Sequence, residues 1–219
     1  MLRERIKVLK DEMVSYAIFV QGMIEKSVKG LLTKQKELLK EVIEKDEPFA
    51  NEEEIKIEEM CITTIAKFEP KAKLLREVLM VLKINNDLER IGDHAVNIAD
   101  SGLYLIERPK VKPYIDLPRM SDEAIGMLKD SIDAFINEDA KLAKDVCERD
   151  DIVDNLRNQI SRELITYMLQ DPTTIERALH IVKISQNIER TADLATNIAE
   201  DVIFMVEGKI IKHHKEEEI

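Results

Sequence analysis

The sequence contains one segment twice. Residues 85–100 read NNDLERIGDHAVNIAD, and residues 185–200 read SQNIERTADLATNIAE. Over the slightly longer segments 83–100 and 183–200, nine of the eighteen positions are identical. A repeat of this length indicates a duplicated domain rather than a solenoid of short units. The fold therefore has to accommodate two similar halves.

Apolar residues recur in both halves at spacings of three and four. Ile6, Leu9, Met13, Tyr16 and Val20 form one such series, which predicts an amphipathic helix. Aromatic residues make up only 4% of the chain, beside six Gly and six Pro, and a β-sandwich needs more of these residues. We predict an all-α fold with six helices, over residues 1–45, 48–68, 71–107, 119–148, 151–170 and 173–207.

Prolines separate the predicted helices. Three of them fall within ERPKVKPYIDLP, residues 107–118, which predicts a stiff linker. We therefore expect two repeated antiparallel three-helix bundles. The predicted boundaries are 1–108 for the first bundle, 109–118 for the Pro-rich linker, 119–212 for the second bundle and 213–219 for a tail.

The bulk properties exclude some classes of protein. The formal net charge is −11, whereas nucleic-acid-binding proteins expose basic patches. Cys61 and Cys147 form neither a CxxC pair nor a disulfide framework, which predicts a cytoplasmic protein. The longest uncharged run, Met13–Ile24, is too short to span a membrane. Any membrane contact is therefore expected through partners.

The repeated segment carries an acidic stripe on the third helix of each half. Spacings of four, four and three residues place side chains along one side of a helix. Like charges one turn apart destabilise a helix by roughly 0.2–0.5 kcal/mol per pair, so a cation from elsewhere is expected to offset them. The stripe residues are Glu89, Asp93, Asn97 and Asp100 in the first half and Glu189, Asp193, Asn197 and Glu200 in the second.

Three interpretations of the stripes remain open on these residues alone. The stripes form a solvated or salt-bridged acidic face, a metal site, or a surface for a basic partner. Carboxylate and amide oxygens suit Mg, Ca, Mn or Fe. No histidine is repeated, since His94 aligns with Leu194, which argues against a zinc site of the Cys/His type.

The fifth predicted helix adds a second pair of carboxylates. Asp150 and Asp154 lie four residues apart, although Asp150 also suits the N-cap of that helix. The block KEVIEKD in the first half aligns with KDVCERD in the second, so Asp46 corresponds to Asp150. Ala50 then stands where Asp154 does. This alignment predicts that the first half lacks one carboxylate.

The doubled motif L/I-E-R-x-x-D-x-x-x-N-I-A, with K-I before it, resembles the PhoU family from about residue 5 to 208. The resemblance implies a non-catalytic, cytoplasmic, all-α protein that damps phosphate uptake and the phosphate-starvation response. It implies contact with the ATPase subunit of a phosphate ABC transporter and with a phosphate-sensing histidine kinase. Dimers are common in the family, so a homodimer is expected.

Some members of that family hold clusters of iron or other metals on E/D-x-x-x-D motifs. The resemblance therefore implies ligands for iron or another hard divalent or trivalent ion. Ala50 departs from the motif and puts the completeness of the first set in doubt. The implied ligands are Glu89, Asp93, Asn97, Asp100 and Asp46 in the first half, and Glu189, Asp193, Asn197, Glu200, Asp150 and Asp154 in the second.

Two other functions compete with this one. The first is an enzyme with a carboxylate metal site, although the Glu-x-x-His motif of ferritin-like sites is absent. The residues three before the four histidines are Ile91, Arg177, Ile210 and Ile211. The second is a metal-free helical adaptor whose acidic stripe is a solvated face. The chain has neither a Walker loop nor a G-x-G-x-x-G loop, which favours a protein without catalysis.

Overall fold

The computed structural model describes residues 1–207, 211–212 and 215–216. The first half consists of a long helix, then a helical rod that contains one wider, π-helical turn, and then a second long helix. These elements are α1 (Leu2–Thr33), the rod formed by α2 (Lys36–Glu41), the π-helical turn (Val42–Asp46) and α3 (Glu47–Phe68), and then α4 (Lys73–Ile106).

The second half repeats this arrangement without the π-helical turn. Its elements are α5 (Asp116–Asn137), α6 (Ala140–Gln170), a 3-10 turn (Pro172–Thr174) and α7 (Ile175–Glu207). A two-residue antiparallel ladder, β1 (Ile211–Lys212) with β2 (Lys215–Glu216), follows. The other residues of the predicted tail, 213, 214 and 217–219, lie outside the described residues.

Each half is a three-helix bundle built around its third helix. Helix α4 packs on α1 and α3, and α7 packs on α5 and α6. The two helices bury the same positions of the repeat, because their sequences have the same apolar period. The fully buried pairs include Ile84 and Ile184, Leu88 and Ile188, Ala95 and Ala195, and Ile98 and Ile198. The predicted all-α fold with two repeated bundles is confirmed.

The two bundles share one hydrophobic core, because α4 packs lengthwise against α7 and α1 packs against α5. Helices α4 and α7 run antiparallel. Lys83 forms an ion pair with Asp201 towards one end, and the rings of Tyr104 and His180 stack 3.9 Å apart towards the other. No helix in the described part of the chain is long and apolar enough to span a membrane.

Two predicted helix ends were wrong. The first helix ends at Thr33 rather than residue 45, and the fourth ends at Asn137 rather than residue 148. Each helix is followed by a residue in the left-handed backbone conformation, Lys34 with φ 57° and Glu138 with φ 52°. Glycine is the usual residue at such a position. Because neither turn contains Gly or Pro, the sequence gives no stop signal there.

The second helix of each half consequently begins earlier than predicted, at residues 36 and 140 rather than 48 and 151. Pro48 therefore lies inside the first-half rod, directly after the π-helical turn, where a proline is tolerated as at a helix start. Asp150 lies within α6 and does not cap it. The N-cap is Asp139, whose carboxylate accepts the N–H groups of Lys141 and Leu142 at 2.9 and 3.1 Å.

The other predicted helices are close to their observed bounds. The third, predicted at 71–107, is α4, and the sixth, predicted at 173–207, is α7 preceded by the 3-10 turn. The fourth begins at Asp116 rather than residue 119. The remaining bounds differ by a few residues only, as is common at helix ends.

Candidate functional site

The π-helical turn changes which residues of the second helix face the acidic stripe in the first half. Before this turn, the buried residues Leu39 and Ala143 are equivalent at a separation of 104. After it, the buried residues Ile57 and Ile160 are equivalent at a separation of 103. A π-helical turn holds one extra residue within a helix. The first half therefore contains a one-residue insertion at this turn.

The insertion makes Ala50 the counterpart of Val153, and both side chains are buried.

 Asn51, which is exposed, takes the place of Asp154. The predicted equivalence of Ala50 with Asp154 was therefore wrong, because an ungapped alignment cannot include the inserted residue. At the place equivalent to Asp154, the first half therefore has the amide side chain of Asn51 and not a carboxylate.

In the first half, α3 brings further carboxylates to the acidic stripe. Glu89 is half-buried and Asp93 is exposed. Burial raises the pKa of Glu89, and the charges of Asp93 and Glu54 raise it further. Glu54 also accepts a hydrogen bond at its backbone oxygen from Asn85 Nδ2, at 2.9 Å. This contact fixes α3 against α4 beside the stripe.

Tyr16 of α1 lies under the same group of carboxylates. Its hydroxyl is buried and has no hydrogen-bond partner among the described residues. Burial raises its pKa, and the charges of Glu89, Glu54, Asp93 and Glu53 add to that effect. We call Tyr16, Glu53, Glu54, Glu89 and Asp93 the first carboxylate surface.

Asp46, the fifth predicted ligand of the first half, is held by a lysine. It is buried, and its Oδ2 lies 2.6 Å from Lys26 Nζ on α1. The same ammonium group binds Glu41 at 2.9 Å. Asn97 donates a hydrogen bond to the Asp93 carbonyl oxygen of its own helix at 3.0 Å. Asp100 is exposed.

In the second half, α6 and α7 place carboxylates against each other. Burial raises the pKa of Asp193 to about 6, and the charges of Glu189, Asp150 and Asp154 contribute to this shift. The outer side of Asp193 remains exposed. Arg157 opposes the shift, and its Nη2 donates to Glu189 Oε1 at 3.3 Å. We call these five residues the second carboxylate surface.

The two remaining predicted ligands of the second half lie farther along α7. Asn197 is exposed and Glu200 is half-buried. Burial raises the pKa of the Cys147 thiol on α6 to about 12, and the negative charge of Glu200 contributes to this shift. The predicted stripe therefore continues beyond the second carboxylate surface along the α6–α7 contact.

Sequence patterns did not identify Tyr16, Glu53, Glu54 or Arg157 as parts of these surfaces. Tyr16 belongs to the apolar series of α1 and was interpreted as a core residue. The two glutamates lie in the run NEEE, which is typical of a solvated helix face. The available signal was the separation between the halves, which falls from 104 residues at Asp46 and Asp150 to 100 at Glu89 and Glu189. The structure places one of these four residues in the π-helical turn before the run.

The two surfaces are rich in hard oxygen donors and carry excess negative charge, so they attract cations or basic partners. Their side chains are not arranged as a closed metal site. Among the described residues, no three His, Cys, Asp or Glu side chains converge in a group that could hold a metal ion.

A family model for the PhoU domain matches residues 14–102 and again residues 117–202. The chain belongs to the PhoU family. The first carboxylate surface lies within the first matched PhoU domain, and the second surface lies within the second. The surfaces are therefore parts of the repeated PhoU unit rather than additions to it.

Relatives and solved structures agree with the family assignment. The phosphate-specific transport system accessory protein PhoU homolog of Aquifex aeolicus is 41% identical over 97% of this chain and 96% of its own. The crystal structure of PhoU from Pseudomonas aeruginosa superposes with a TM-score of 0.91 at 31% identity, covering 95% of this chain and all of that one. The phosphate transport system regulatory protein PhoU from Streptococcus pneumoniae gives 0.88 at 25% identity, covering 97% of this chain and all of that chain.

Proposed function

We propose that the protein is a non-catalytic regulator that damps phosphate uptake and the phosphate-starvation response. It acts in the cytoplasm as a homodimer, in contact with the ATPase subunit of a phosphate ABC transporter and with a phosphate-sensing histidine kinase. The observation that carries this proposal is the match of the PhoU domain to both halves of the chain. The Aquifex aeolicus relative, which is named as an accessory protein of phosphate-specific transport, aligns with nearly the whole chain.

Binding to the ATPase subunit tests the proposed role directly. The purified ATPase subunit from the same organism is immobilised, and retention of this protein is measured with and without inorganic phosphate and nucleotide. Retention at micromolar concentration supports the proposal. Absence of retention under every condition, with both proteins folded by circular dichroism, contradicts the proposed contact. Light scattering of the free protein tests the homodimer.

The two carboxylate surfaces are proposed to bind hard metal ions. Oxygen donors of this kind suit iron, manganese, magnesium or calcium. The raised pKa values of Glu89 and Asp193 reflect burial and mutual repulsion, and a bound cation would relieve the repulsion. The buried, unpartnered Tyr16 hydroxyl offers one more oxygen beside the first surface. Binding requires the side chains to turn towards a common point.

Metal content provides the test. Protein purified without chelators or an affinity tag is offered each ion, dialysed, and analysed by mass spectrometry. The double variant Asp93→Asn/Asp193→Asn is expected to lose stoichiometric metal, because each substitution removes one charged ligand. The matched control is Asp122→Asn/Asp133→Asn, which removes two α5 carboxylates outside the surfaces. Equal metal in all three proteins, or none in any of them, contradicts the metal proposal and leaves the surfaces as acidic faces for partners.

A further inference from the structure

A basic cleft opens between the first turns of α1 and α4, and it shares no lining residue with either carboxylate surface. Its volume is about 450 Å³, within the range of small-molecule sites. The lining includes four cationic side chains and one carboxylate, although the chain as a whole has a net charge of −11. The charged residues of the lining are Arg3, Lys7, Lys10, Lys73 and Glu77.

The single carboxylate of the cleft is already neutralised. Glu77 is buried, and its Oε2 lies 2.8 Å from Lys10 Nζ. Lys73 binds Glu138 of the second half at 2.8 Å in an exposed ion pair, which contributes little free energy because water screens it. Arg3 and Lys7 have no ion-pair partner among the described residues. Their positive charge is therefore available to a ligand.

The helix ends add to this positive potential. The first free N–H groups of a helix carry a partial positive charge and favour anions. The first turn of α4 contains no acidic residue, and its N-cap residue, Ala72, provides no side-chain hydrogen bond. The start of the equivalent helix in the second half differs, because the Asp171 carboxylate accepts the Thr173 N–H at 3.0 Å.

The arrangement is electrostatically unfavourable without a ligand. Arg3 and Lys7 are like charges one turn apart, which repel. They lie at the start of α1, where the helix dipole disfavours cations and where Glu4 is the acidic residue of the first turn. Lys73 occupies the same position on α4, where its exposed ion pair with Glu138 offsets part of its charge. Local conflicts of this kind are typical of functional sites, and an anion in the cleft would relieve all of them together.

We propose that this cleft binds a small anion that carries more than one phosphate group, free or as part of a nucleotide. Arg3 and Lys7 bind the phosphate oxygens, and the free N–H groups of the first turn of α4 face the same charge. Ile6 and Leu74, which also line the cleft, provide an apolar wall for the rest of the ligand. The proposal does not depend on the regulatory role or on metal binding.

Isothermal titration calorimetry tests the site with two probes, sodium pyrophosphate and metal-free ATP, in low-salt buffer without phosphate. The variant Arg3→Gln/Lys7→Gln is expected to bind at least about tenfold more weakly, because it loses two charge-assisted contacts. The matched control Lys141→Gln/Arg162→Gln removes two exposed cations of α6 and is expected to bind as the wild type does. Tighter binding of ATP assigns the site to nucleotides, and tighter binding of pyrophosphate assigns it to the free anion.

Thermal unfolding separates loss of binding from loss of folding. Without an anion, Arg3→Gln/Lys7→Gln is expected to unfold at or above the wild-type temperature, because its repulsion is reduced. Pyrophosphate or ATP is expected to stabilise the wild type and the control, but not this variant. The proposal is overturned if neither probe binds the wild type on the order of 1 mM, or if the control variant loses binding equally.

Discussion

Glu54 on α3 and Arg157 on α6 occupy equivalent places in the two halves, and they carry opposite charges. The equivalence follows from the register after the π-helical turn, in which Ile57 matches Ile160. Arg157 binds Glu189 at 3.3 Å, whereas Glu54 raises the pKa of Glu89. The second surface therefore has a cation on its stripe, whereas in the first half Lys56 binds Glu53 at 2.9 Å and no ion pair of the described residues holds Glu89.

Neutralising Glu54 should stabilise the first half. In the variant Glu54→Gln, Glu89 loses a neighbouring charge, so its pKa falls towards the ordinary value. We expect a gain of a few tenths of a kcal/mol in the free energy of unfolding at pH 7.5 with chelator present. Urea unfolding measures this gain, with Glu52→Gln on the exposed face of α3 as the control. A loss of stability would show that Glu54 is held by favourable contacts instead.

Stability should depend on pH through Asp87, which is buried between α4 and α7. Burial and the charge of Asp201 raise its pKa from 3.8 to about 6. The folded protein therefore binds this proton more tightly than the unfolded chain does. The contribution of Asp87 to stability is consequently lost as the pH rises from about 4 through 6.

The variant Asp87→Asn tests this dependence, because it removes the buried charge and keeps the shape. At pH 8 we expect it to be more stable than the wild type, by at most about 2–3 kcal/mol, since Arg90 partly compensates the charge at 3.5 Å. At pH 4 the two proteins should be equal. Thermal and urea unfolding at both pH values measure the difference, and Asp122→Asn should show no such change between them.

The ion pair of Lys26 with Asp46 should stabilise the first half. The variant Lys26→Gln leaves the buried Asp46 carboxylate without its ammonium group, and we expect a loss of about 1–2 kcal/mol. The double variant Lys26→Gln/Asp46→Asn should recover part of this loss. A double-mutant cycle by urea unfolding gives the coupling energy. Strictly additive effects would mean that the contact contributes nothing beyond the two separate side chains.

Removing one residue from the π-helical turn should be tolerated. Deletion of exposed Glu44 converts this turn to a regular α-helical turn and keeps Ala50 and Ile57 in the core. Deletion of Glu148 at the equivalent place in α6 rotates the rest of that helix by about 100° and exposes its apolar face. We expect cooperative thermal unfolding for the first deletion and its loss for the second. Equal damage from both deletions would contradict the insertion at this turn.

The repeat and the apolar period predicted much of the fold. The identical positions from Lys83 to Ala99 indicated a duplication, and spacings of three and four indicated helices. The predicted bounds of the third and sixth helices were close because Pro70 and Pro172 mark their starts. The apolar pattern is therefore sufficient to predict the start of a helix where a proline precedes it.

The helix ends at Lys34 and Glu138 were not predictable in the same way. A left-handed residue ends each helix, but Lys and Glu seldom take this conformation and give no signal in the sequence. The apolar pattern also continues across both turns, because the following helix packs on the same core. Tertiary packing, rather than local preference, therefore selects these two turns.

The composition of the carboxylate surfaces was only partly predictable. Glu89, Asp93, Glu189 and Asp193 follow from the repeat. The residues of the second helix that lie beside these carboxylates depend on the π-helical turn. The extra residue of this turn shifts the register of α3 by one residue relative to α6. Glu54 was missed for that reason, and no periodicity within α3 reveals it.

The contact between α4 and α7 makes the two halves unequal partners. His94 Nδ1 lies 3.0 Å from Asn187 Oδ1 across this contact. The repeat places Leu194 at the position of His94 and Asp87 at the position of Asn187, so the related contact on the other side is different. Two copies of either half could not reproduce this pairing. Two first halves would set His94 against Asp87, and two second halves would set Leu194 against Asn187, so divergence after the duplication has made this contact specific to the unlike pair.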